Sequence, residues 1–366
     1  MRSRSLARVA LAFAALLVAL LAAELIARTL APSSAEELLF TSPDGVPAGL
    51  YRYTPKLLQE PTPGFTGEVA SLGYTVPIRI NSHGLRGPEP AAGPKWVALG
   101  DSFTIAVQVA EEDTFASRVG AGLGVEMLNA GVDGYSTWQG TLRYRDIDEV
   151  LRVDGVLLTF FLGNDLRDNL LAPQMLGNPR PPGEGGHAPV RLSSDPFTRF
   201  LFRHSVLHAY ARVAYKRAAL TEIDSFDKRR FQDELRIFTK GGASALQELV
   251  RSSEAALMQL RDLTGSRRDR LLVAVAPPSF ALEPARAAQT LTTFGLSEPD
   301  VDAPRRAVLD LLKRLNIATC DLTPALQATH DAGNAPYFRF DGHWNAAGHA
   351  VVADTVLGCL NASPPR

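Results

Sequence analysis

Five residues scattered along the chain have the types that acyl-ester chemistry requires: Ser102, Asp341, His343, Gly134 and Asn164. Making and breaking an acyl ester at a serine takes a nucleophile, a base for its proton, a carboxylate to orient the base, and donors for the oxyanion that develops on the carbonyl. Ser102, in Gly100-Asp101-Ser102-Phe103, is read as the nucleophile, His343 as the base and Asp341 as its orienting acid. The oxyanion donors expected are the backbone N–H groups of Ser102 and Gly134 and the side-chain amide of Asn164. A glycine suits that place because no Cβ obstructs the approach of backbone to substrate. Taken alone, a serine after a strand is more often a helix cap or turn former. The reading therefore rests on the whole set occurring together.

The elements that must position these residues follow from hydrophobic periodicity. Trp96 to Leu99 reads as a buried strand that stops at Gly100 and delivers Asp101 and Ser102 onto a turn. Val125 to Leu128 is a second short strand, followed by the loop Asn129 to Ser136. Asp154 to Phe161 is a third, ending in Leu162-Gly163-Asn164-Asp165. Leu271 to Ala276 and Ile317 to Asp321 complete the set, and helical stretches lie between them. Examples are Asp113 to Leu123, the apolar stripe Leu246, Leu249, Val250, Leu257 and Leu260, Arg305 to Leu315, and a last helix carrying Val351, Val352, Val356 and Leu357. This alternation predicts an α/β domain with a parallel sheet covered by helices on both faces, and ligands at the carboxyl ends of its strands.

The remainder of the chain bounds where such chemistry takes place. Val9 to Ala27 is apolar apart from Glu24 and follows Arg2, Arg4 and Arg8, with Glu36 and Glu37 beyond it. The run is long enough to cross a bilayer, and its flanks put the N-terminus in the cytoplasm and the rest of the chain outside. A cleaved signal peptide is the competing reading. An uncleaved anchor over residues 1–31 is preferred, since no small-x-small site directly follows the run. Residues 32–93, rich in Pro and Gly, form a β-rich lead-in in which Tyr74 to Ile80 alternates like a half-buried strand. His83 and Arg86 there are read as exposed loop residues rather than substrate contacts. Residues 94–366 form the main domain, with an insertion at about 170–263; within it Asp195-Pro196 reads as a helix start before Phe197, Phe200 and Leu201.

With 38 Lys plus Arg against 39 Asp plus Glu, the net charge of −1 provides no field to attract nucleic acid or an anionic lipid surface. Cys320 and Cys359 lack metal or redox spacing; free core thiols are preferred over one disulfide. Asp101 and Asp165 read as turn acceptors, His349 as a satisfied buried histidine, Trp344 as packing under the histidine loop, and Asn345 as the cap of the last helix.

Four blocks in this order resemble the SGNH, or GDSL-type, hydrolases: Gly100-Asp101-Ser102-Phe103, Asn129-Ala130-Gly131-Val132-Asp133-Gly134, Gly163-Asn164-Asp165 and Asp341-Gly342-His343. The resemblance implies a flavodoxin-like three-layer sandwich, here preceded by a transmembrane helix, with Ser102 as nucleophile and Gly134 and Asn164 in the oxyanion hole. The commonest family pattern has its acid three residues before the histidine, where this chain has Phe340. The shorter spacing, with a tryptophan following the histidine, resembles membrane-associated relatives that O-acetylate exported polysaccharides. In an extended loop, residues two apart project to the same side, so Asp341 can orient His343. The expectation is an extracytoplasmic serine esterase for short acyl esters, with an acylated polysaccharide or lipid as the candidate substrate, and without metal or nucleotide cofactor. Alternatives are an O-acyltransferase of the cell envelope, fed by a membrane partner, and a non-catalytic envelope-binding module.

Overall fold

The computed structural model describes residues 2–30, 47, 49–71, 73–179, 197, 200–201, 204–211, 232–338 and 341–362. Helix α1 (Arg2–Leu30) contains a stretch of mean hydropathy 2.6, Arg8–Thr29, long and apolar enough to cross a membrane. Toward its end Glu24 accepts hydrogen bonds from the Ser205 hydroxyl and from the N–H groups of Val206 and Leu207, where a helical segment begins. Arg28 donates to the His204 carbonyl.

Two small antiparallel hairpins follow. Strands β1 (Tyr51–Arg52) and β2 (Glu60–Pro61) form the first; β3 (Thr66–Ser71) and β4 (Tyr74–Arg79) the second, with Ser71 opposite Tyr74. Along β4, Tyr74, Val76 and Ile78 are buried and the residues between them exposed, as the alternation in sequence requires. That buried face joins Leu50, Val69 and Ile80 against Ile105 and Val107 of the main domain.

The main sheet contains β5 (Lys95–Leu99), β6 (Glu126–Asn129), β7 (Gly155–Phe161), β8 (Arg270–Ala276) and β9 (Ala318–Asp321). All pairings are parallel, in the order β6-β5-β7-β8-β9. This is the flavodoxin-like order, whose switch point lies beside the first strand of the sheet, β5. Between these strands lie α2 (Ser102–Ile105), α3 (Phe115–Leu123), α4 (Thr137–Leu151), α5 (Asp165–Gly177), α6 (Ala243–Arg267), α7 (Pro284–Thr293) and α8 (Ala303–Arg314), and after β9 come α9 (Thr323–Asp331) and α10 (Ala346–Ala362).

Because successive strand residues point to opposite faces, each strand serves two cores. Val97, Val156, Leu158, Val273 and Val275 face Tyr144 of α4, Leu166 of α5, Leu257 and Leu260 of α6, and Val308 and Leu311 of α8. Trp96, Ala98, Leu157, Leu272 and Ala274 face Phe115 and Val119 of α3, Leu326 of α9, and Val352 and Val356 of α10. Three layers result.

Three expectations change. Residues 165–177 and 243–267 are helices of the sandwich, both packed in its core, so the stretch outside the layers is shorter than 170–263. Most of it, including Asp195-Pro196, lies outside the described residues, while Phe197, Phe200 and Leu201 are helical. Cys320 of β9 and Cys359 of α10 form a disulfide, with Cα atoms 5.7 Å apart, in place of the free thiols preferred from sequence. The reason is packing: α10 lies directly on β9 and brings two residues far apart in sequence within bridging distance. Arg86 is buried and donates to the carbonyls of Ile105, Ala106 and Val109, because those groups end or follow the short helix α2 and have no helical partners of their own. His83 is exposed, as expected.

Candidate active site

Ser102 begins α2 directly beyond β5. Gly100 holds φ at +144°, and a Cβ there would collide with the Thr104 hydroxyl and lie 2.9 Å from the Thr159 carbonyl, so only glycine fits the turn. Asp101 caps α2: its carboxylate accepts the Phe103 N–H at 2.9 Å. The serine is thereby fixed at the carboxyl edge of a strand buried along its whole length.

The base arrives from the far end of the chain. His343 Nε2 lies 2.7 Å from Ser102 Oγ, and its Nδ1 hydrogen-bonds Asp341 Oδ1. The His343 backbone N–H also donates to Asp341 Oδ1, at 3.1 Å. The tight Asp-Gly-His spacing therefore works: one carboxylate oxygen holds both the ring and the backbone of the residue two positions on. The loop is closed by a pairing of Tyr337 with Trp344 and by the Phe338 N–H donating to the His343 carbonyl at 2.9 Å. Phe103 lies against the His343 ring, with centroids 4.8 Å apart, and fully buried Trp344 packs edge-on against Phe103 in turn. Asn345 accepts the Gly348 N–H at 3.0 Å and so caps α10, while His349 Nδ1 accepts the Phe115 N–H at 3.2 Å in the core.

Burial alone would raise the pKa of Asp341. The facing His343 charge, its ring N–H and the Tyr74 hydroxyl outweigh burial and hold the carboxyl below its usual range. Burial opposes charge on His343 too, but Asp341 prevails, aided by Asp101 and Asp133, and the imidazole titrates above its usual value. Asp101 is pushed up to about 6 by burial, against the Phe103 N–H and the His343 charge. Asp165, whose carboxylate accepts the Phe161 N–H at 2.9 Å, is pushed up by burial and by Asp101. Both aspartates act as turn acceptors, as expected.

The sheet order brings the oxyanion candidates to either side of Ser102. Gly134 lies in the loop after β6, on one side of β5, with φ at +69° and open space where a Cβ would be. That loop is tied to the serine turn by the Val132 N–H on the Gly100 carbonyl at 3.1 Å and the Asn129 amide on the Thr104 carbonyl at 2.8 Å. Asn164 lies at the end of β7, on the other side of β5, and one of its amide hydrogens goes to Asp168 at 2.9 Å. The sequence alone does not single out Asp168. Its i,i+4 spacing from Asn164 becomes a signal once α5 is recognised as a helix.

Three further hydrogen bonds involve the lead-in. The Tyr74 hydroxyl donates to Asp341 Oδ2 at 2.8 Å. On the opposite flank the Gln59 amide donates to the Asp133 carbonyl at 2.5 Å and the Tyr135 hydroxyl to the Gln59 carbonyl at 2.6 Å, bracing the Gly134 loop. Among the described residues, no group of three or more His, Cys, Asp and Glu is arranged to hold a metal ion.

An oriented Ser–His–Asp chain beside two candidate donors can form and discharge an acyl-serine. Residues 238–365 match the model of a family described as SGNH hydrolase-like domain, acetyltransferase AlgX, a stretch that holds Asp341 and His343. Comparison with curated proteins gives no match. Among solved structures, the chain is similar to a protein assigned to the lipolytic G-D-S-L family from Desulfitobacterium hafniense DCB-2, at 13% identity and TM-score 0.38 over 73% of this chain and 99% of that one. It is also similar to Axe2, an acetylxylan esterase from Geobacillus stearothermophilus, at 14% identity and TM-score 0.39 over 75% of this chain and 96% of that one.

Proposed function

We propose that this chain, which carries an SGNH hydrolase-like domain, is an extracytoplasmic serine enzyme that cleaves short acyl esters through an acyl-Ser102 intermediate. The observation that carries the reading is the unbroken hydrogen-bonded chain from Asp341 through His343 to Ser102. His343 Nε2 takes the hydroxyl proton as Ser102 Oγ attacks the acyl carbon. The oxyanion is received by the N–H groups of Ser102 and Gly134 and by the Asn164 amide, and the departing alkoxide collects the proton from His343. Water, deprotonated by the same imidazole, then attacks the acyl-serine, and the acid is released as Ser102 Oγ leaves with the proton returned by His343.

A second reading shares every step but the last. The description of the matching family as an acetyltransferase favours an acceptor hydroxyl, such as that of an envelope polysaccharide, in place of water. An uncleaved α1 would hold the domain at the membrane's outer face, and the Cys320–Cys359 disulfide suits an oxidising compartment.

The full chain in detergent tests both. Labelling of Ser102 by a fluorophosphonate and release of acetate from an activated ester are expected, both lost in Ser102→Ala. Absence of both from the intact chain overturns the enzyme reading in favour of a binding module. Weak hydrolysis, with acyl groups appearing on an added oligosaccharide, selects transfer.

A further inference from the structure

Tyr74 lies in neither of the strand-end loops nor the histidine loop. It begins β4, at the tip of the second lead-in hairpin, yet its hydroxyl reaches a carboxylate 267 residues later in sequence. The arrangement is constrained on all sides. The ring is buried and lies on Phe338, with centroids 5.0 Å apart and an interplanar angle of 53°. The hairpin under it is pinned to Ile105 and Val107, the residues that close α2 and follow it. Asp341 is itself buried and uses Oδ1 for both the ring and the backbone N–H of His343, leaving Oδ2 for Tyr74.

We propose that Tyr74 is a positioning residue: its hydroxyl locks the rotation of the Asp341 carboxylate that orients His343, making the lead-in hairpin a working part of the site. This rests on the acyl-serine reading above. A carboxylate held through one oxygen only can swing about its Cβ–Cγ bond; a donor on the second oxygen fixes its plane, and with it the imidazole. The phenol also shares in stabilising the carboxylate charge, so it sets how strongly Asp341 draws a proton onto His343. The other groups facing His343 are the carboxyls of Asp101, after β5, and Asp133, beside Gly134. They belong to different loops, and removing the Tyr74 hydroxyl leaves them in place.

Tyr74→Phe in the full chain retains the ring and deletes the hydroxyl. Two measurements separate this proposal from the one it rests on. The first follows the His343 pKa by NMR of histidine-labelled protein, which needs no turnover. Without the Tyr74 donor the Asp341 carboxylate is more basic, so the His343 pKa is expected to rise, and that rise is expected to vanish in an Asp341→Asn background, where no carboxylate remains. The second is kcat on an activated acetyl ester, expected to fall about 10- to 100-fold, as for loss of a hydrogen bond to a charged group, with KM little changed. An unmoved His343 titration, or one that moves equally in the Asp341→Asn background, overturns the role of Tyr74. So does a kcat within twofold of the parent. If the parent chain turns over no ester and takes no fluorophosphonate, the acyl-serine reading fails, while the titration still decides whether Tyr74 sets the Asp341–His343 pair.

Discussion

His343 can take a proton from Ser102 only while its ring is neutral, and the same Asp341 that aims the ring also favours its charged form. The folded-state pKa lies above the unperturbed value of about 6.5, so on the acyl-serine reading activity should be lost as pH falls through a midpoint above that value. We expect kcat/KM to rise with pH along an acid limb centred above 6.5. Asp341→Asn removes the carboxylate charge, so the limb should move to lower pH while kcat falls about 10³- to 10⁴-fold. A pH–rate series on both forms checks the two effects together. The parts of the candidate site that could be picked out in advance are those that occur in short local patterns: Gly100-Asp101-Ser102, Gly163-Asn164-Asp165 and Asp341-Gly342-His343. Tyr74 could not, because nothing in the alternation of β4 says which buried residue meets a partner hundreds of positions away.

At the scale of elements, the Cys320–Cys359 disulfide ties an edge strand of the sheet to the helix that follows the histidine loop. Closing a loop of 39 residues restricts the unfolded chain, so the paired replacement of both cysteines by serine should lower the unfolding free energy by roughly 3–4 kcal/mol. Urea unfolding monitored by tryptophan fluorescence measures it. The five sheet strands were legible because strands covered on both faces leave short continuous apolar runs, unlike the one-sided stripe of a surface helix. Helix α5 was not. It contains Pro173 and runs into a stretch rich in Pro and Gly, and what holds it is tertiary: Leu166 in the core and Asn169 bonded to Thr137 of α4 and Ser253 of α6. The pairing of the cysteines was equally hidden, since it depends on how α10 lies across β9 rather than on either local sequence.

For the molecule as a whole, the apolar helix is tied to a distant part of the chain, where Glu24 of α1 caps the backbone at Val206 and Leu207. We expect the full chain to remain with membranes through high-salt washing and a C-terminal tag to be cleaved by protease added to spheroplasts. Release of a soluble form lacking α1 would replace the anchor by a signal peptide. The net charge of −1 predicts that lipid composition matters little to this partition.

The distance in sequence between Ser102 and His343, 241 residues, has a consequence for how such a chain is made. Synthesis runs from the N-terminus, so Ser102 emerges long before His343. Until the final helix has docked, the Ser102 hydroxyl has no imidazole beside it. On the acyl-serine reading proposed above, a half-made molecule is therefore expected to be latent, becoming active only once its last helix is in place.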